Sequence, residues 1–310
     1  MNQEARTALP VLLPAMAAAL AFFLAAWRPW QWAAPVRNGH WGGAVALGVG
    51  FIIAFITLAG SRGLRLTDRW HWIALMATVA ASLGLAASLW RPGFALRLAT
   101  GAVMAVSVGS LLHPPASAAH PFAWKAALAI LAFLLWGNFE ALGTRRTGVL
   151  LPAVIVVTCG GLSVVLLNAQ QAGFSLLAAA VAAVAGMGLL VALFAPAFSL
   201  AQGGSYVAGS MLAALCMLGW LYSTSELTIW PLVLILASPL ATWVAVLPSV
   251  RRMRPWQSAL VATIAVAVPV IIAVALSLNA SGDEEEFLGD LRSDHTPAGS
   301  LAFLDRPTLP

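Results

Sequence analysis

The chain has 310 residues, of which 61% are hydrophobic and 9% are charged, and its formal net charge is +5. Soluble domains carry about 25% charged and about 45–50% apolar residues, so this composition excludes a soluble fold. The lipid bilayer is therefore the expected partner of most of the surface, and no nucleic-acid partner is expected.

The apolar residues form runs of about twenty without alternating polarity, which is the length that a helix needs to cross the hydrocarbon core. Barrel strands would instead alternate over about ten residues. The sequence predicts an all-α, polytopic integral membrane protein with about ten transmembrane helices. In chain order, the predicted spans are 8–27, 42–60, 70–90, 93–112, 122–142, 149–168, 172–194, 204–222, 230–248 and 258–278.

Tryptophans and arginines mark many ends of these spans. An indole ring favours the membrane–water interface, where the ring is half buried and its N–H is hydrated. Long basic side chains can also reach the headgroups from a helix end. The predicted interfacial anchors are Trp27, Trp70, Trp72, Trp90, Trp124, Trp256, Arg145 and Arg146.

The loops that follow odd-numbered spans carry more arginines than the loops that follow even-numbered spans. The positive-inside rule then places the odd loops in the cytoplasm and both termini outside. The segment 62–69, with three arginines after span two, opposes this orientation. The expected location is a cell membrane, taken as a bacterial inner membrane.

The composition changes after the helical transmembrane domain, 1–279. Residues 280–310 contain seven acidic side chains and two arginines, with Gly, Ser and Pro between them. Low hydrophobicity with high net charge predicts a disordered acidic tail. A solvated terminal tail is the simpler interpretation, and a docking tail or a loose cation binder is the alternative.

Glu140 is the one acidic residue within the predicted spans, and Asn138 precedes it by two positions. At 1.5 Å per residue, Glu140 lies about 7–8 Å from Arg145, shallow enough to pair with Arg145 or Arg146 at the interface. Alternatively, Glu140 faces the bundle interior as a proton or cation site with Asn138 beside it. Residues two apart point to different sides of a helix, so one ligand would not easily contact both.

Pro239 and Pro269 fall near the middle of spans nine and ten. An interior proline removes a backbone hydrogen bond and kinks the helix. Broken transporter helices offer such unpaired groups to a substrate. Prolines are also simply common in membrane helices, so packing kinks are the alternative.

Small residues are concentrated at 42–50, 159–161 and 178–188. Such residues let helices approach closely where lipid gives no hydrophobic drive to associate. We expect packing within the chain, with an oligomer or membrane-protein interface as the alternative.

The sequence lacks HExxH, CxxC and G-x-S-x-G motifs. Cys159 and Cys216 lie inside spans, where buried apolar thiols are usually inert. His113 and His120 have no carboxylate or cysteine neighbours of the kind a metal site would use. We therefore expect no metal, no cofactor and no enzymatic activity.

The stretch ALAILAFLLWGNFEALGTRR, residues 127–146, resembles the opening helix of one half of a drug/metabolite transporter. That superfamily has two inverted five-helix halves and a similar length. The resemblance covers one span of ten and falls at span five, whereas equal halves would begin at spans one and six. It therefore assigns no family.

Two functions remain open from the sequence. The first is passive or secondary transport of a small neutral or weakly polar solute, along a seam that includes Glu140, Asn138, Pro239 and Pro269. The alternative is a non-catalytic structural or accessory subunit that binds a larger assembly through its helix faces or acidic tail. The number of spans favours transport, while the scarcity of polar residues inside them favours a subunit.

Overall fold

Helices are the only regular elements that the computed structural model describes, in residues 3–27, 39–63, 68–90, 93–116, 118–195, 198–223, 228–253 and 255–294. The all-α class is therefore confirmed. The α-helices are α1 (Gln3–Trp27), α2 (Trp41–Gly63), α3 (Trp72–Trp90), α4 (Phe94–Leu111), α5 (Pro121–Arg145), α6 (Leu150–Asn168), α7 (Ala172–Phe194), α8 (Gly204–Leu221), α9 (Ile229–Ala237), α10 (Pro248–Arg251) and α11 (Pro255–Asp294). Two 3₁₀ segments accompany them, Arg69–His71 and Ser238–Val246.

Nine helices in the described part of the chain are long and apolar enough to cross a membrane. Each of the nine coincides with a predicted span, which supports a membrane location. The remaining predicted span contains a shorter apolar helical stretch, Ile229–Ala245.

That ninth span is a broken helix, not the regular helix that its hydrophobicity predicted. Its α-helix ends before Pro239, which has no N–H to continue the hydrogen-bond ladder, and a nine-residue 3₁₀ segment follows. The Thr242 hydroxyl donates to the Pro239 carbonyl at 2.6 Å. Because a 3₁₀-helix rises about 2 Å per residue, the two pieces together reach about 31 Å. The broken span is therefore as long as the hydrocarbon core is thick.

Helix α8 forms the centre of the bundle. Of its span, 89% is buried, and it contacts α2, α3, α4, α5 and α7. Helices α1, α4 and α11 are the outer helices, with 22%, 28% and 22% of their spans buried. Large apolar side chains on them, such as Leu13, Val106 and Ile271, are exposed. This arrangement suits helices that lipid surrounds.

The small-residue segments make close contacts between helices of the same chain. A Cβ atom added to Gly50 in α2 would lie 2.6 Å from the Val184 side chain in α7. Gly161 of α6 lies directly against Val270 of α11. These glycine contacts agree with the expectation that the small-residue segments pack within the chain.

Helix α11 passes through Pro269 without interruption and extends to Asp294. The first part of the predicted acidic tail, 280–294, thus continues this helix. Residues 295–310 of the predicted tail lie outside the described residues.

Candidate functional site

Glu140 lies inside the bundle, near the point where α5 ends and α8 begins. Its residue is 9% exposed. The Oε2 atom accepts hydrogen bonds from the Gln202 backbone N–H and the Ser205 hydroxyl, both at 2.7 Å. The Oε1 atom lies 3.6 Å from Nη1 of Arg97 on α4. The carboxylate therefore joins three parts of the fold: α4, α5 and the start of α8.

Glu140 lies beside the first turn of α8, where the helix dipole favours an anion. The first N–H groups of a helix lack intrahelical partners and carry partial positive charge, which favours a nearby anion. The turn before α8 is buried at Phe198, Ser199 and Leu200, and within it Gln202 has a positive φ of 66°. Such a backbone angle in a non-glycine residue costs about 1–3 kcal/mol. The hydrogen bond from Gln202 to Glu140 helps to hold the turn in this conformation.

The expected pairing of Glu140 with Arg145 or Arg146 is wrong: the carboxylate pairs with Arg97. The reason lies in the helical repeat of about 100° per residue. Five or six positions along α5 place Arg145 and Arg146 about 140° and 120° away around the helix axis from Glu140. Glu140 instead faces the bundle interior, which is the orientation given by the alternative interpretation.

A polar seam continues from Glu140 along the contact of α4 with α8. The Thr100 and Tyr206 hydroxyls are 2.8 Å apart, and the Ser210 hydroxyl lies 2.7 Å from both the Tyr206 carbonyl oxygen and the Met104 sulfur. From Arg97 to Met104 the seam runs about 10 Å along α4. Arg97 is 28% exposed at its side chain, so the seam opens at the end of the bundle that also carries Arg145. We call this end the Arg145 end.

Two buried polar atoms at the seam have no hydrogen-bond partner among the described residues. They are Nε1 of Trp136, a donor, and Oε1 of Gln202, an acceptor. The Trp136 ring packs directly on Gly101 and lies 5.3 Å from the Tyr206 ring. A buried polar atom without a partner is destabilising by about 1–3 kcal/mol. The seam therefore has unused capacity both to donate and to accept a hydrogen bond.

Asn138 lies on a different side of α5, as the two-residue offset from Glu140 predicted. Its Nδ2 donates to the Pro239 carbonyl at 3.1 Å, and its Oδ1 accepts from Trp243 Nε1 at 2.7 Å. Asn138 and Pro239 are thus brought together, and α5 is tied to the break in the ninth span. Pro269, on α11, takes no part in these hydrogen bonds.

The predicted interfacial anchors differ in their surroundings. Trp90 and Trp256 are exposed, whereas Trp70, Trp72 and Trp124 are partly buried. Arg145 is exposed and its guanidinium lies 4.8 Å from the Trp243 ring centroid, and Arg146 is partly buried. Trp27 instead packs inside the bundle against His40 and Phe198. Trp27 is therefore a core residue and not an exposed anchor, because residues 39–43 and the α7–α8 turn cover its ring.

The sequence did not indicate Arg97, Ser205, Tyr206 or Trp243 as site residues. Arg97 lies only four residues after the start of its predicted span, where a long basic side chain can reach the headgroups. Serines and tyrosines occur too widely in membrane helices to be singled out. The one available signal was Arg97 itself, a cation within an otherwise apolar run that also needs a partner.

No family model matches the chain, and neither a curated protein nor a solved structure matches it. Among the described residues, no group of three or more His, Cys, Asp or Glu side chains could hold a metal ion.

Proposed function

We propose that the protein is a passive or secondary transporter of a small neutral or weakly polar solute. The observation that carries the proposal is the polar seam between α4, α5 and α8. Polar and ionisable groups are rare inside membrane proteins and commonly mark solute pathways. This seam opens at Arg97 and contains a donor, Trp136 Nε1, and an acceptor, Gln202 Oε1, that the described residues do not satisfy.

The charges of the seam favour a neutral solute. Arg97 and Glu140 are 3.6 Å apart and neutralise each other, so the pair presents no net charge. A charged solute would lose its hydration without gaining an uncompensated counter-ion. A small solute that both donates and accepts hydrogen bonds could instead replace its water contacts with those of Trp136 and Gln202.

The broken ninth span provides the element that moves in this proposal. Transporters place discontinuous helices beside their solute sites and use them in alternating access. Here the 3₁₀ segment is bonded to Asn138 on α5, the helix that also carries Glu140. A shift of this segment would therefore act on the seam through α5. We propose no catalysis. We also propose that the protein lies in a bacterial inner membrane, with the Arg145 end on the cytoplasmic side.

The two tyrosines of the chain allow a matched test. Tyr206 contacts Thr100 in the seam, whereas the Tyr222 hydroxyl donates to the His113 carbonyl at the opposite end at 3.0 Å. We would measure the melting temperature of the purified protein with glycerol, erythritol and acetamide as probes. A bound solute raises it in proportion to RT ln(1 + [L]/Kd).

With at least one probe, we expect a concentration-dependent rise that Tyr206→Phe reduces and Tyr222→Phe retains. A rise from solvent exclusion alone would be equal in all three proteins. The accessory-subunit alternative would be favoured if no probe shifts the melting temperature and if a stoichiometric protein partner is found after extraction in mild detergent. A shift that both variants retain would move the solute site away from the seam.

A further inference from the structure

An open cleft of about 440 Å³ lies at the Arg145 end, outside the seam. The turn between α5 and α6 forms one wall with Arg145 and Arg146. The end of α7 contributes Leu193, and the start of α11 contributes Trp256 and Ser258. Basic, hydroxyl and apolar side chains thus meet between three helices.

The cleft is positively charged. Arg145 and Arg146 are adjacent in sequence, and neither takes part in the ion pairs found among the described residues. The Arg145 guanidinium lies over the Trp243 ring, 4.8 Å from its centroid. A guanidinium carries five N–H donors in one plane, and these donors suit the oxygens of a phosphate.

Ser258 provides an independent indication of a ligand. It is 2% exposed, and its Oγ atom has no hydrogen-bond partner among the described residues. A buried hydroxyl without a partner is unfavourable, so this atom favours a ligand that can bond to it. A phosphate oxygen would accept a hydrogen bond from this hydroxyl, beside the two arginines.

The rim of the cleft is apolar. Leu193 and Trp256 are 62% and 59% exposed, and Phe194 beside them is 73% exposed. An exposed indole is typical of the headgroup level of a bilayer. A ligand with a phosphate in the cleft would therefore place any attached acyl chains along an apolar surface.

We propose that this cleft binds the phosphate of an anionic phospholipid, with the acyl chains along Leu193 and Trp256. Basic pockets between membrane helices are suited to anionic headgroups. The inference is independent of the transport proposal, because none of these cleft residues belongs to the seam.

The test is native mass spectrometry of the full chain in neutral detergent, titrated with phosphatidylglycerol or phosphatidylcholine. We expect one phosphatidylglycerol to bind saturably, about tenfold or more tighter than phosphatidylcholine. Each basic residue near a membrane surface contributes about a fivefold gain, so Arg145→Gln with Arg146→Gln should weaken binding by about 25-fold. Ser258→Ala should weaken it by about fivefold, the effect of one hydrogen bond.

Arg69→Gln is the matched control, because Arg69 donates to the Pro114 carbonyl at the opposite end of the bundle. It should leave lipid binding unchanged. The double variant alters exposed or partly exposed side chains, and circular dichroism would verify its fold. Unchanged affinity in both the double variant and Ser258→Ala would overturn the inference, as would equal binding of phosphatidylcholine.

A control with inorganic phosphate distinguishes a phospholipid headgroup from free phosphate as the ligand. Added at the same phosphate concentration, it should raise the melting temperature far less than phosphatidylglycerol does. A shift from inorganic phosphate equal to that from the lipid would overturn the assignment to a phospholipid.

Discussion

Glu140→Gln removes the charge of the seam carboxylate and keeps its shape. At 3.6 Å, opposite charges attract by about 4–5 kcal/mol with an effective dielectric constant of about 20. Desolvation of both groups and the 28% exposure of Arg97 reduce this gain. One glutamine oxygen can still accept from Gln202 and Ser205. We therefore expect the free energy of unfolding to fall by about 2–3 kcal/mol, with the protein still folded.

The assay is unfolding of the purified protein by sodium dodecyl sulfate in mixed micelles, followed by far-ultraviolet circular dichroism. A double-mutant cycle with Arg97→Gln should give a coupling of about 1–3 kcal/mol, because the two side chains interact directly. Asp68→Asn is the control. Asp68 lies 3.4 Å from His71 but its side chain is 63% exposed, so the change should stay within about 0.5 kcal/mol.

A change of less than about 0.5 kcal/mol in the free energy of unfolding of Glu140→Gln would contradict the ion pair. The absence of coupling in the cycle with Arg97→Gln would contradict it equally. Either result would mean that the carboxylate and guanidinium are not paired in the native bundle, and the seam would lose its central contact.

Three further predictions use the same purified protein or whole cells. Gly84→Ala should destabilise the protein by about 1–3 kcal/mol in the detergent titration, since the added Cβ would lie 2.6 Å from a carbonyl oxygen of the α7–α8 turn. Gly137→Ala is the control: no atom lies within 4 Å of its added Cβ, so this change should be neutral or stabilising by up to about 1 kcal/mol. Asn138→Ala should cost about 1–3 kcal/mol because it leaves an indole N–H without its acceptor. Asn168→Ala should cost less, since its hydroxyl partner also donates to a carbonyl; equal losses would contradict this ranking. Thr147→Cys should react with a membrane-impermeant maleimide only in inverted vesicles. The native cysteines are buried and should give little background labelling. Labelling of Thr147→Cys in intact cells would show that the orientation is the opposite one.

The fold was largely predictable because each membrane span is defined by a local quantity, the length of its apolar run. Nine predicted spans are helices of that length. The break in the ninth span was not fully predictable. Pro239 indicated a kink, but the change to a long 3₁₀ segment also depends on contacts with Asn138, over 100 positions away in sequence.

The site was predictable only in part, for the same physical reason. Glu140 and Asn138 were evident as polar residues in an apolar span, and the helical repeat separated their faces. Their partners depend on which helices pack together, which hydrophobic periodicity does not specify. Arg97 and Ser205 therefore remained unrecognised until α4, α5 and α8 were placed side by side.

Solute flux through the reconstituted protein tests the transport proposal most directly. Proteoliposomes would be exposed to osmotic steps of glycerol, erythritol or acetamide and followed by stopped-flow light scattering, with protein-free liposomes as the baseline. We expect faster entry of at least one solute with the wild-type protein, slower entry with Tyr206→Phe and wild-type rates with Tyr222→Phe. Rates equal to those of protein-free liposomes for every neutral solute, in vesicles that contain folded protein, would contradict the transport proposal.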